Sequence, residues 1–94
     1  MPEPAFDPAL DWRLHPQVAV RPERFGALLY HYGTRKLSFL KDVTLAQVVA
    51  ALGEHSDASA ALDAAGVGGD PRYVHALGQL AASNMVIRRD SGEQ

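Results

Sequence analysis

From Trp12 to Arg21 the chain alternates, with Trp12, Leu14, Val18 and Val20 on one side and Arg13, His15, Gln17 and Arg21 on the other, the spacing of a half-buried strand. Pro16 lies inside this run and Pro22 follows it. Proline has no amide to donate to a ladder, so the strand belongs at a sheet edge. The next run, Arg24 to Tyr32, puts Phe25, Ala27 and Leu29 on one face and Leu28, Tyr30 and Tyr32 on the other, as in a strand covered on both sides. A tight connection at Gly33 and Thr34, where glycine permits a positive φ, leads to a third strand over Lys36, Leu37, Ser38, Phe39, Leu40 and Lys41. The predicted arrangement is a three-stranded antiparallel meander with the doubly apolar strand in the middle.

After Asp42 the period changes from two to 3.6. Leu45, Val48, Val49 and Leu52 form the stripe of a first helix, and Thr44 with Gln47 fits a capping box. A second helix is predicted from Asp57 to Ala65, with Ser56 as cap, small apolar residues as its buried stripe and Gly66 as its stop. The third has Asp70 as cap and Pro71 at its first position, buries Val74, Leu77, Leu80 and Ala81, and ends at Asn84. Met85 to Arg89 is β-prone and reads as a short strand or wing. The resulting division is a proline-rich arm over 1–11 that Phe6 and Leu10 are able to pin, a domain over 12–89 and a flexible tail over 90–94. The fold class is α+β of winged-helix type, a three-stranded antiparallel sheet followed by three helices.

Composition narrows the function. Ninety-four residues, 47% of them hydrophobic, suit one small domain, in which deep catalytic pockets are rare and a binding module is the better expectation. With no cysteine there is no disulfide, no thiolate metal site and no cysteine nucleophile. No apolar run reaches the ~18 residues of a membrane span, and the first ten residues lack the basic start and apolar core of a signal peptide, so the expectation is a cytoplasmic protein without membrane contact.

Candidate chemistry is sparse. His15, His31, His55 and His75 match no metal-ligand spacing. Asp42, Asp57 and Asp70 stand where helices begin, which accounts for them as caps. Gly66, Gly68 and Gly69 lack the GK[ST] of a phosphate loop, and no serine sits in a GxSxG elbow. No enzyme and no cofactor are expected. A winged helix invites comparison with DNA readers, but the third helix offers only Arg72 and His75, and the net charge of −2 does not favour phosphate neutralisation. No nucleic-acid partner is therefore expected, with a small winged-helix DNA-binding regulator as the alternative reading and a purely structural subunit as the third.

The two sheet edges differ. One carries prolines. The other, Lys36 to Lys41, is able to accept an extended peptide by strand addition, although Lys36 and Lys41 equally fit gatekeepers that discourage pairing. Leu37 and Phe39 share one face and Ser38 and Leu40 the other, and the pattern alone leaves open which pair faces the core. On the third helix Arg72, His75, Gln79 and Ser83 make a polar stripe, while Gly78 suits either close approach of another backbone or a crowded helix contact.

The stretch WRLHPQVAVRPERFGALLYHYGTRKLSFLK, residues 12–41, resembles the PqqD-like RiPP recognition elements, and among them the small chaperones of mycofactocin biosynthesis. RPERFGALLY and GTRKLSFL are its most specific parts. The resemblance implies a PqqD-like, non-catalytic domain that binds a ribosomally synthesised precursor peptide as an added strand and presents it to a radical S-adenosylmethionine maturase. That enzyme oxidatively decarboxylates the precursor's C-terminal tyrosine and links it to the neighbouring valine. Carried onto this chain, the peptide lies along Lys36, Leu37, Ser38, Phe39, Leu40 and Lys41, in a cleft closed by the third helix, whose candidates for facing it are Arg72, His75, Ala76 and Gln79, with no pattern that chooses among them. The expected state is a monomer, and an open edge on so short a domain also permits a strand-swapped dimer.

Overall fold

The computed structural model describes residues 6–88. It contains β1 (Trp12–Leu14), β2 (Val18–Glu23), β3 (Gly26–His31), β4 (Lys36–Leu40), α1 (Val43–Ala51), a 3-10 turn at Leu52–Glu54, α2 (Ala58–Ala64), α3 (Pro71–Ala82) and β5 (Val86–Arg88). The α+β fold expected from the pattern is present: β2, β3 and β4 form a three-stranded antiparallel sheet with β3 in the centre, and three helices follow.

Two expectations about strands need correction. The run from Trp12 to Arg21 is two strands, because the chain turns at Pro16, where the Val18 amide donates to the His15 carbonyl at 2.9 Å. The first piece, β1, pairs antiparallel with β5 in a separate two-stranded sheet. The segment read as a wing therefore ties the end of the domain to its beginning, an arrangement that only a contact between residues distant in sequence specifies. In the β3–β4 connection the left-handed position is Arg35, φ 62°, and not Gly33. Gly33 serves space instead, since a Cβ there would meet the Gln17 side chain and come within 2.9 Å of His31.

Two caps are also corrected. Asp42, in extended conformation, caps α1 by accepting from the Leu45 amide at 3.1 Å, in place of the Thr44 and Gln47 box. Asp57, not Ser56, caps α2 by accepting from Ala60 at 2.7 Å. Asp70 caps α3 with Pro71 in its first turn, as read, and Asn84 adopts the left-handed conformation (φ 62°) just beyond the helix end.

The core lies between the sheet and the helices. Leu29 of β3, Leu52 of the 3-10 turn, Leu62, Leu77 and Met85 are its largest fully buried side chains. Each contributes about 1.5–3 kcal/mol of transfer free energy relative to exposure. On α3, Leu77 and Leu80 are buried, whereas Val74 and Ala81 are only partly covered. The described part of the arm is packed down. Phe6 stacks on Trp12 with ring centroids 4.6 Å apart, and the Leu10 and Pro8 carbonyls accept from the Ala58 and Ser59 amides at the start of α2. Phe6 also explains Gly78, where an added Cβ would lie 3.2 Å from the Phe6 Cβ. The close approach is that of a side chain. The tail over 90–94 and residues 1–5 lie outside the described residues.

Candidate functional site

The hydrogen-bond phase of the sheet decides what β4 presents. The Tyr32 amide donates to the Gln17 carbonyl at 2.8 Å, continuing the β2–β3 register by one pair. Bonded and non-bonded pairs alternate in an antiparallel ladder, so Ala19 with Tyr30 and Arg21 with Leu28 are bonded pairs, and Ala27, Leu29 and His31 turn their main-chain groups towards β4. Their partners there are Leu40, Ser38 and Lys36. The amides and carbonyls of Leu37 and Phe39 therefore point to the opposite edge, where β4 has no neighbouring strand among the described residues. The same phase puts the missing amide of Pro22 on the outer edge of β2. One edge of the sheet is blunted and the other is open.

The structure also resolves which side chains face inward. Leu40 is buried and Ser38 half-buried towards the helices, while Leu37 and Phe39 are 55% and 58% exposed on the outer face. Along the open edge runs a groove of about 370 Å³ between β4 and α3. Leu40, Leu45 and Leu80 give it an apolar floor, and Ser38, Gln79 and Ser83 give it polar rims. Ala76 stands in its helical wall. A peptide strand lying here would find main-chain partners on one side and a shallow apolar trough on the other.

Of the helical residues singled out in the sequence, Ala76 and Gln79 line this groove and Arg72 lines a contiguous recess of about 110 Å³ with Asp42, Tyr73 and Ala76. Arg72 is held back on its own cap: Nε and Nη2 donate to the two Asp70 carboxylate oxygens at 3.2 and 2.9 Å. This pairing raises the Arg72 pKa and lowers that of Asp70. His75 does not line the groove; it borders a separate apolar trough with Phe6, Val74 and Gly78. Lys36 and Lys41 are exposed at the two ends of β4.

Sequence reasoning missed the part played by Tyr73. Its hydroxyl donates to Asp42 Oδ2 at 2.7 Å, joining α3 to the residue that lies two positions past β4 and caps α1. This hydrogen bond, followed by the Leu45 amide, holds the Asp42 carboxyl below its ordinary pKa, and the same bond raises the Tyr73 phenol. The latch sets the spacing of the groove walls at one end. The polar stripe 72–75–79–83 supplied two of the groove residues on α3, Gln79 and Ser83, but led past Leu80 in its floor and Tyr73 in the adjoining recess.

Two of the histidines, His15 and His31, have structural roles. His31 is buried and its Nδ1 accepts from the Gly33 and Thr34 amides at 3.0 and 3.2 Å, holding the β3–β4 turn. His15 packs on it with ring centroids 4.4 Å apart, and burial, then the neighbouring His31 and Arg13, lowers the His15 pKa. Among the described residues no three His, Asp or Glu side chains converge as a metal site, and no helix is long and apolar enough to cross a membrane.

Comparison with known proteins bears on the family of the chain. The chain is 63% identical over 84 residues to a peptide chaperone MftB of Mycolicibacterium smegmatis, covering 87% of this chain and 82% of that protein. It is 58% identical over 89 residues to the peptide chaperone MftB of Mycobacterium tuberculosis, covering 92% and 81%, and 55% identical over 91 residues to that of Mycobacterium ulcerans, covering 95% and 84%. No solved structure matches it. The family model matches residues 11–87, which spans everything from β1 into β5, so the chain belongs to the peptide chaperone MftB family.

Proposed function

We propose that this chain binds an extended segment of a ribosomally synthesised precursor peptide as a fourth strand beside β4, in the groove against α3, and presents it to a radical S-adenosylmethionine maturase in mycofactocin biosynthesis. It acts as a non-catalytic monomer in the cytoplasm and needs no cofactor. The observation that carries the reading is the coincidence of an open strand edge, whose outward amides are those of Leu37 and Phe39, with an apolar-floored groove along the same edge.

The energetics divide the work between edge and groove. Leu37 and Phe39 offer an amide and a carbonyl each, hence four main-chain hydrogen bonds. At about 1 kcal/mol net per bond they supply roughly 4 kcal/mol, which by itself corresponds to millimolar affinity. Tight binding then requires apolar peptide side chains against Leu40, Leu45 and Leu80. Side chains on an added strand alternate, so those at every second position enter the groove and set the register.

The test is a calorimetric titration with the precursor peptide, followed by amide-shift mapping. Tight binding with shifts over 36–41 and along the groove-facing residues of α3 is the expected result. A folded protein that gives neither heat nor shifts overturns the reading, and salt-sensitive binding to duplex DNA would replace it with the regulator.

A further inference from the structure

The peptide groove uses the edge of the sheet and its inner side, which leaves the outer face. Ala27, Leu29 and His31 of β3 are buried under the helices, so Leu28 and Tyr30 point the opposite way. The register places Phe39 beside Leu28 and Leu37 beside Tyr30. Phe25 extends this row at one end, stacked on Phe39 with centroids 6.3 Å apart, and Tyr32 extends it at the other, edge-on to Tyr30 at 5.1 Å. Exposure is 44% at Phe25, 55% at Leu37, 58% at Phe39 and 62% at Tyr32. No described element covers this stripe. A continuous aromatic and aliphatic face of this kind marks a contact surface more often than an ordinary solvated one.

Charge identifies the kind of partner. Residues 21–41 hold Arg21, Arg24, Arg35, Lys36 and Lys41 against Glu23 as the one acid, in a chain whose net charge is −2. Arg24 and Arg35 lie in the turns at opposite ends of the sheet, Lys36 and Lys41 at the two ends of β4, and Arg21 on β2, where it pairs with Glu23 at 3.1 Å. Arg21, Arg24 and Arg35 thus give the apolar stripe a basic rim, whereas Lys36 has the inward parity of Ser38 and Leu40 and Lys41 lines the groove. Face-to-face pairing of two copies would set these rims against each other, which disfavours a symmetric dimer through the sheet.

We propose that the outer face of β2–β3–β4 docks the peptide-modifying enzyme through an apolar patch ringed by Asp and Glu side chains on that enzyme. The proposal rests on the adaptor reading above. Peptide and enzyme would then occupy opposite sides of one strand, so that β4 holds its cargo on the edge and inner side while its outward side chains face the enzyme. Of the stripe residues only Phe39 also lines the groove, so the two can be bound together with side-chain contact to both confined to that residue.

The test measures binding of the purified radical S-adenosylmethionine maturase and of the precursor peptide separately, for the wild-type protein, the Phe25→Ser/Tyr32→Ser double variant and the Arg24→Glu/Arg35→Glu double variant. None of the four positions lines the groove. Expected are at least tenfold weaker enzyme binding in both variants, a loss of the wild-type salt dependence in the charge-reversed one, and peptide affinity within twofold of wild type. Enzyme binding unchanged in both folded variants overturns the docking face while leaving the adaptor reading intact. A wild-type protein that binds peptide but not the enzyme, with or without peptide, overturns both the docking proposal and the adaptor role. Self-association in sedimentation velocity that the Phe25→Ser/Tyr32→Ser change abolishes would assign the face to a second copy and overturn the enzyme as its occupant.

Discussion

Phe39→Pro separates the open edge from the rest of the fold. The amide removed is one that faces away from β3, so the ladder to Leu29 and Ala27 keeps its bonds, and proline is tolerated at such an edge position. The lost ring is 58% exposed and stacked only on Phe25, which keeps the effect on folding small. An added peptide strand loses one hydrogen bond, worth about 0.5–1.5 kcal/mol net, and leaves its own carbonyl facing a donor that no longer exists, at a cost of about 1–3 kcal/mol. Together these, about 1.5–4.5 kcal/mol, predict a Kd raised roughly ten- to two thousandfold. Calorimetry gives the Kd, and circular dichroism with a thermal melt establishes that the variant is folded. Phe39→Ala, which keeps the amide, is the control for the ring and should bind within a few fold of wild type. Ser38→Pro is the opposite control, because the Ser38 amide bonds inward to Leu29, and it should lower the melting temperature sharply. Unaltered peptide affinity in folded Phe39→Pro would remove the edge of β4 from the binding mechanism.

Three further outcomes follow from the structure. Ala76→Arg fills the groove from its helical wall and should weaken peptide binding at least tenfold with little change in melting temperature; equal affinity would mean that the peptide does not enter the groove. Tyr73→Phe removes the first cause of the lowered Asp42 pKa, so a carboxyl-carbon titration should show that pKa rising towards its ordinary value. Because a depressed carboxylate pKa stabilises above the unfolded-state value near pH 4 and that stability is lost as pH falls through the folded pKa, the variant should also lose less stability on acidification; an unmoved Asp42 titration contradicts the latch. Gly26→Ala places a methyl group against the Leu40 carbonyl at a φ of +149° and should destabilise by about 1–3 kcal/mol, some 4–20 °C in melting temperature for a domain of this size; an unchanged melt would refute the close packing of β3 on the end of β4.

Apolar residues on both faces marked β3 as the central strand, which it is, but only its Ala27, Leu29 and His31 side is buried, and the predicted cover over Leu28 and Tyr30 is not supplied by any described element. The cap, proline and glycine signals around α3 are local chemistry that needs no distant partner. The break at Pro16 was present in the sequence, but an edge-strand proline and a turn proline look alike until the partners of β1 are known. Asp42 and Thr44 compete for the cap of α1 on nearly equal local terms, and Tyr73, thirty-one residues away, adds a bond that only the Asp42 arrangement satisfies.

What the sequence determined by itself was the order and type of the main elements, the meander, the edge on which proline forbids pairing, and the family resemblance carried by residues 12–41. These depend on side-chain period and backbone preference within a few residues. Tertiary structure decided the pairing of β1 with β5, the inward side of β4, the placing of Ala76, Gln79 and Ser83 but not Arg72 or His75 in the groove, and the outer aromatic face as a surface distinct from the groove. Each of those depends on the phase of one element relative to another. A period of two allows either face of β4 to be buried, and only the packing of Leu40 and Leu29 beneath the helices selects one.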